Sequence, residues 1–359
     1  MQNPIIIHLL DDATPGGVTR VIDNILASKH LAKTAQHKLI SVPKNKFSMP
    51  RLHADIIVSH LSVNWRSLPR LIALRALHPQ ATLIHVEHSY TQKFTALNVP
   101  NRTRFFGLLR TAYALFDHVV AVSQAQASWL SSRGLVTSKK LCVIRSAVDL
   151  SEFQALPAPT TPPKIFGAIG RLHPQKGFDV LIRAFARCDD PDIQLKIFGD
   201  GPLREDLERL ALTDPRVTLE GHRPNPISAM REVDAVLVPS RWEAFGLVAQ
   251  EALAAGRLTL VANVDGLRDQ VVDGAILVEG QSLRDWTMAI SEARAAPPKS
   301  ASSLVQSRKR NGTTRFENDW QQLLAKVAKS GLAVKAPIAL GQSNSRQNTS
   351  LRNEVPVDL

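Results

Sequence analysis

Cysteine is scarce in this chain: 359 residues contain only Cys142 and Cys188, in a predicted strand and at a predicted helix end, without metal-ligand spacing. A disulfide-stapled scaffold and a Cys-based zinc module are thereby excluded, and both thiols are expected to be reduced. Long apolar runs are missing as well. No stretch approaches the ~18 residues that a membrane-spanning helix requires, and the opening MQNPIIIHLLDD lacks the basic start and extended apolar core of a secretion signal. A cytoplasmic chain is expected. The only Asp-x-Asp string, Asp190-Pro191-Asp192, falls in a predicted turn after a helix and reads as solvated loop, so neither a metal site nor a cofactor is expected.

What is present describes a globular protein. Hydrophobic residues make up 44% of a chain too long for one ordinary core and suited to two domains. Its net charge of +12 is uneven: residues 1–157 hold 18 Lys+Arg against 8 Asp+Glu, while residues 158–329 hold 23 against 22. The positive field therefore belongs to the first half, where nucleic acid, an anionic membrane surface or an acidic acceptor are the partners it suits. Nucleic acid is the weakest of these, because no recognised nucleic-acid module is present and the aromatics fit a helix face.

In the first half, short apolar runs at Pro4–Leu10, His37–Val42, Ala54–Ser59, Leu83–Val86, His118–Val122 and Leu141–Ile144 alternate with helical periodicity. That alternation predicts a doubly wound parallel sheet, with ligands beyond the carboxyl ends of its strands. After the first run, Thr14-Pro15-Gly16-Gly17 turns the chain into a helix, a geometry that lets backbone approach a phosphate but also describes an ordinary strand-to-helix turn. His88, in HVEHSY, sits at a strand end, as a reactive or hydroxyl-positioning group or as a plain loop residue. Residues 101–116 set Arg102, Arg104 and Arg110 among Phe105, Phe106, Leu108, Leu109 and Phe116. This pattern fits an interfacial helix on an anionic membrane and equally a core-packed helix with a solvated face.

PAPTTPP at 157–163 excludes helix and interior strand and reads as a linker. The second half repeats the alternation, with strands at Lys164–Ile169, Leu195–Phe198, Val217–Glu220, Val233–Val238, Leu258–Ala262 and Ala275–Val278. Between Gly170 and Gly177 a glycine-bounded turn presents Arg171 and Lys176 at a helix entry, a fork and a compact charge that suit a diphosphate. PSRWEAFGLVAQEALAAG, residues 239–256, places Glu243 and Phe245-Gly246 in a turn and Glu251 on the helix that follows. Free amides at a helix start attract anions, whereas carboxylates beside them suit sugar hydroxyls. An isolated pair of glutamates would read as a cap and a solvated helix residue; the neighbouring cations change that reading. Domains are expected at 1–156 and 164–312, with a terminal helix at 313–329 packing back toward the first domain and a disordered tail at 330–359.

GRLHPQKG, FGDGP and the Glu-x7-Glu segment, with GGVTR and AVSQ in the first half, resemble in order and spacing the retaining GT-B enzymes of the family called glycosyl transferases group 1. The likeness covers most of residues 5–329. It implies an α/β fold of two Rossmann-like doubly wound domains facing a cleft, and metal-independent, front-face transfer of a sugar with retention from a nucleoside-diphosphate sugar. The acceptor is expected to be a glycan or lipid-linked molecule in bacterial cell-surface polysaccharide synthesis at the membrane face. By resemblance, Arg171 and Lys176 hold the diphosphate, Glu251 the ribose and Glu243 the transferred sugar. Amides around Phe245, Gly246 and Leu247 cup the distal phosphate, Gly16 and Gly17 approach it from the other side, and His88 faces the reacting sugar. A catalytically weak assembly partner and a sugar-nucleotide epimerase share this fold, but a pure scaffold has no physical need for the four charged residues. The chain departs from the pattern at Ser146-Ala147, near the interdomain loop or acceptor edge, and at Asp265-Gly266-Leu267 with Asp269, which bears on contacts to the sugar.

Overall fold

The computed structural model describes residues 3–12, 14, 16–44, 49–296 and 313–334, the last seven of them by backbone alone. Two parallel six-stranded sheets form the scaffold. The first contains β1 (Ile5–Leu10), β2 (Gln36–Ser41), β3 (Ile56–Ser59), β4 (Thr82–Glu87), β5 (His118–Ala121) and β6 (Leu141–Val143), in the order β2-β1-β3-β4-β5-β6. The second contains β7 (Ile165–Ile169), β8 (Gln194–Phe198), β9 (Val217–Gly221), β10 (Ala235–Val238), β11 (Leu258–Ala262) and β12 (Ile276–Val278), in the order β12-β11-β10-β7-β8-β9. Strand order reverses direction beside β1 in one sheet and beside β7 in the other, and each reversal opens a crevice at the carboxyl ends.

Apolar continuity explains the central strands. Every residue of β3 and of β10 is buried, as in a sheet covered on both faces. The run His37–Val42 behaves differently from its expected burial, because β2 is an edge strand and most of its residues contact solvent.

The two halves share apolar packing. Ile144, Val148, Leu150 and Phe153 from the first half join the core built around the second sheet, as do Phe316, Trp320, Leu323 and Leu324 from the terminal helix. That helix, Thr313–Val334, runs past Lys329; the remainder of the expected tail, 335–359, lies outside the described residues. Its Glu317 accepts a hydrogen bond from Ser28 at 2.5 Å and its Gln321 bonds His30 at 2.9 Å, so it rests on the helix Lys29–Ala32 of the first half. Residues 157–163 form neither helix nor strand between helix Ser151–Gln154 and β7.

A polar seam closes the other side. The 3₁₀ segment Asp265–Asp273 of the second half sends three acids across to the first. Asp265 accepts from Thr91 Oγ1 at 2.6 Å and from the Lys93 amide at 3.1 Å, and Asp269 accepts from the amides of Gln124 and Ala125 at 2.5 and 3.3 Å. These amides open two helices, Gln92–Asn98 and Gln124–Ser132, so the acids satisfy donors that a helix start leaves free. Arg145 pairs with Asp273 in the same seam. The carboxylates of Asp265 and Asp269, read from sequence as bearing on the sugar, are committed to holding the halves together.

Candidate active site

A cleft of about 1130 Å³ lies between the two sets of carboxyl ends. Gly16, Gly17 and His88 line one wall, and Arg171, Lys176, Glu243, Phe245, Gly246, Leu247 and Glu251 the other, so every site residue expected from sequence reaches this one space.

Local geometry explains the arrangement of the second wall. β10 ends at Val238 and the chain turns through Gly246, where glycine is required on two counts: φ is +90°, and a Cβ there would stand 2.4 Å from Leu267 Cδ2. The helix Leu247–Ala254 then starts without a side-chain cap and without an acid in its first turn. Its start faces the cleft, ready for an anion. The loop carrying Lys176 is fastened to the same turn: Gly177 has φ +69° with Pro239 O 2.3 Å from its would-be Cβ, and the Arg241 amide donates to Gln175 O at 2.7 Å. Across the cleft, Gly17 comes so close to Leu247 that a Cβ would lie 3.1 Å from its Cδ1.

Charge is distributed in pairs. Lys176 Nζ donates to Glu243 Oε2 at 2.5 Å, and Ser240 Oγ donates to the same carboxylate oxygen at 3.2 Å. Arg171 is exposed at the cleft and makes no ion pair among the described residues. Glu251 is 0% exposed, and its Oε1 accepts from Arg20 Nη1 at 2.5 Å across the cleft. Its Oε2 is buried with no partner among the described residues. Burial pushes the Glu251 carboxyl above its ordinary range, with Arg20 pulling the other way.

His88 follows β4 directly, and its Nε2 lies 2.9 Å from Nδ1 of His60. Burial lowers its pKa to about 4 although Glu87 opposes this, so the ring is neutral at pH 7. Glu87 itself accepts from the amides of Ser89 and Tyr90 and from the Tyr113 hydroxyl, which fixes the turn carrying His88. Sequence reasoning missed Arg20 and His60 as site residues. Arg20 had a signal, being one helical turn beyond Gly16-Gly17 and thus on the same end of the helix; His60 had none, because its partner is 28 positions away.

The three arginines of residues 101–116 are exposed on the helix Arg102–Ala114. The helix's apolar side, through Leu108, Leu109, Ala112 and Tyr113, is buried in the first-half core, with Phe105 and Phe106 packed against it. Insertion of that apolar face into a membrane is therefore not available. Arg110 donates to the carbonyls of Arg133 and Gly134, and Arg102 to that of Ala96. Arg104 stacks over Trp65, 5.1 Å from the ring centroid, and Trp65 is 48% exposed.

Two family patterns meet on this chain, Glycosyltransferase Family 4 over residues 10–152 and Glycosyl transferases group 1 over residues 151–311. The chain belongs to the group 1 glycosyltransferases of GT-B fold. A D-inositol 3-phosphate glycosyltransferase of Mycolicibacterium smegmatis is 33% identical over 198 residues, 49% of this chain and 45% of that protein. Its counterpart from Mycolicibacterium vanbaalenii is 30% identical over 279 residues, 68% of this chain and 60% of that protein. The chain thus matches about half the length of these curated relatives. Among solved structures, sucrose-phosphate synthase from Thermosynechococcus elongatus superposes with a TM-score of 0.73 at 18% identity, covering 91% of this chain and 100% of that one. Anabaena Alr3699/HepE, solved with UDP and glucose, gives 0.68 at 19% identity with the same coverage. These likenesses establish the fold of this GT-B glycosyltransferase family member.

Proposed function

We propose that the cleft binds a nucleoside-diphosphate sugar and transfers the sugar, with retention and without a metal, to a glycan or lipid-linked acceptor. The observation that carries this reading is the Glu251 carboxylate, buried at the cleft with one oxygen held by Arg20 and the other unpartnered. A buried orphan acceptor is costly unless a ligand donor meets it, and a ribose hydroxyl supplies such a donor. The rest of the wall then has assigned work. The uncapped start of helix Leu247–Ala254 and Arg171 receive the diphosphate, while Lys176, tied to Glu243, bridges phosphate and transferred sugar. These preorganised positive groups stabilise charge on the departing diphosphate, whose oxygen takes the acceptor proton as the glycosyl carbon becomes oxocarbenium-like.

The UDP-bound neighbour and the D-inositol 3-phosphate glycosyltransferases support starting a substrate search with UDP-sugars and with D-inositol 3-phosphate beside lipid-linked glycans. The surface of Arg102, Arg104, Trp65 and the 57% exposed Leu97 suits an anionic membrane where such an acceptor would reside, in cell-surface polysaccharide synthesis. Anomeric configuration followed by proton NMR during turnover tests the reaction: the product is expected to keep the donor's configuration, and an inverted anomer would overturn front-face transfer.

A further inference from the structure

Four histidines cross the first sheet in the order of its strands. His37 lies on β2, His8 on β1, His60 just after β3 and His88 just after β4. Their rings are bonded in series: His37 Nδ1 to His8 Nε2 at 3.0 Å, His8 Nδ1 to His60 Nε2 at 3.1 Å, and His60 Nδ1 to His88 Nε2 at 2.9 Å. Successive rings stack with centroids 5.2–5.4 Å apart and planes 22–26° apart. They line up rather than converge on a point, and no cluster able to hold a metal occurs among the described residues. Burial lowers the pKa of all four, so they are neutral near pH 7.

A neutral imidazole carries one N–H, and each link needs one donor and one acceptor. Only two arrangements make all three links, with every proton on Nδ1 or every proton on Nε2. The far end decides between them. His37 Nε2 is buried and without a partner among the described residues. Placing a proton there orphans an N–H, the rarer outcome in folded proteins, whereas leaving it bare orphans only a lone pair. His37 therefore donates through Nδ1, and each ring repeats the choice of the one before it.

We propose that His37, His8 and His60 are positioning residues that lock His88 as its Nδ1–H tautomer, so that it presents a hydrogen-bond donor, not a base, to a ligand oxygen in the cleft. This rests on the sugar-transfer reading for the identity of that oxygen, an oxygen of the transferred sugar, but the tautomer itself does not depend on it. A fixed donor discriminates between a sugar offering an oxygen at that point and one lacking it.

The test is long-range proton–nitrogen NMR on protein labelled with ¹⁵N-histidine, with His88 assigned by His88→Gln. The wild type is expected to carry the His88 proton on Nδ1 at pH 7 without any ligand. His60→Phe is expected to release His88 toward the Nε2–H form and to lower kcat by ~10-fold or more, as for partners that orient a ligating histidine, with donor KM little changed. If His60→Phe does not fold, His37→Phe at the sheet edge breaks the chain three rings from His88 and is expected to move the same resonance. An Nε2 proton on wild-type His88, or a His88 tautomer unmoved by these substitutions, overturns the proposal. Failure of the sugar-transfer reading would show separately, as absent nucleotide binding with the NMR signature intact.

Discussion

Glu251 shows how a residue suited to a ligand burdens the fold. Its carboxyl is raised above the ordinary value of 4.5, chiefly by burial, so the folded state holds its proton more tightly than the unfolded chain. A raised acid contributes stability that is present below its unfolded pKa and lost as pH rises through its folded pKa. Replacing it by Gln removes that loss, and the partly exposed Arg20 can turn to water. Glu251→Gln is therefore expected to melt higher than wild type at pH 8, with the gain vanishing near pH 4, while nucleotide affinity falls. Thermal denaturation across that range checks the sign; a lower melting point at pH 8 would contradict it. Glu243, Glu251, Arg171 and Lys176 were legible in sequence because their spacing within short segments fixes their side of a turn. Arg20 carried a local signal, one helical turn beyond Gly16-Gly17, though not its pairing with a residue 231 positions away; His60 carried none, because its partner lies 28 positions away, where local periodicity is silent.

At the scale of elements, each of the twelve strands coincides with an apolar run read from sequence to within one residue beyond either end, since a parallel strand covered on both faces leaves a signal that does not depend on its partners. The signal does not report position in the sheet, which is why the apolar run His37–Val42 is compatible with β2 lying at an exposed edge, nor does it report that histidines in separate runs stack together. The segment Asp265–Asp273 shows the same limit: its sequence marks a departure from the resembled pattern, but not that its acids accept from two helix starts of the other half. The helix Arg102–Ala114 had two readings, and packing of Leu108, Leu109 and Tyr113 leaves only its polar side free. The proposed membrane attachment would then rest on exposed charge with Trp65 and Leu97. Cosedimentation with anionic vesicles is expected to be salt-sensitive and weaker in an Arg102→Ala/Arg104→Ala variant, by about 1 kcal/mol per charge removed; equal binding by the variant would exclude this surface.

For the whole molecule, the shared apolar core and the acidic seam hold two sheets so that their crevices open onto one cleft. The first half contributes Gly17, Arg20 and His88, and the second an uncapped helix start, paired charges and Arg171. No helix among the described residues is long and apolar enough to cross a membrane. The central claim is that this cleft holds a nucleoside diphosphate through Lys176 and Glu251. Titration calorimetry with UDP, GDP and ADP, comparing wild type with Lys176→Ala and Glu251→Gln, tests it most directly. Loss of a charged hydrogen bond worth ~1.5–3 kcal/mol is expected to weaken binding of the preferred nucleotide by about 10- to 100-fold in each variant, with the fold intact by circular dichroism. Unchanged affinity in both variants, or no nucleotide bound by the wild type, would contradict it.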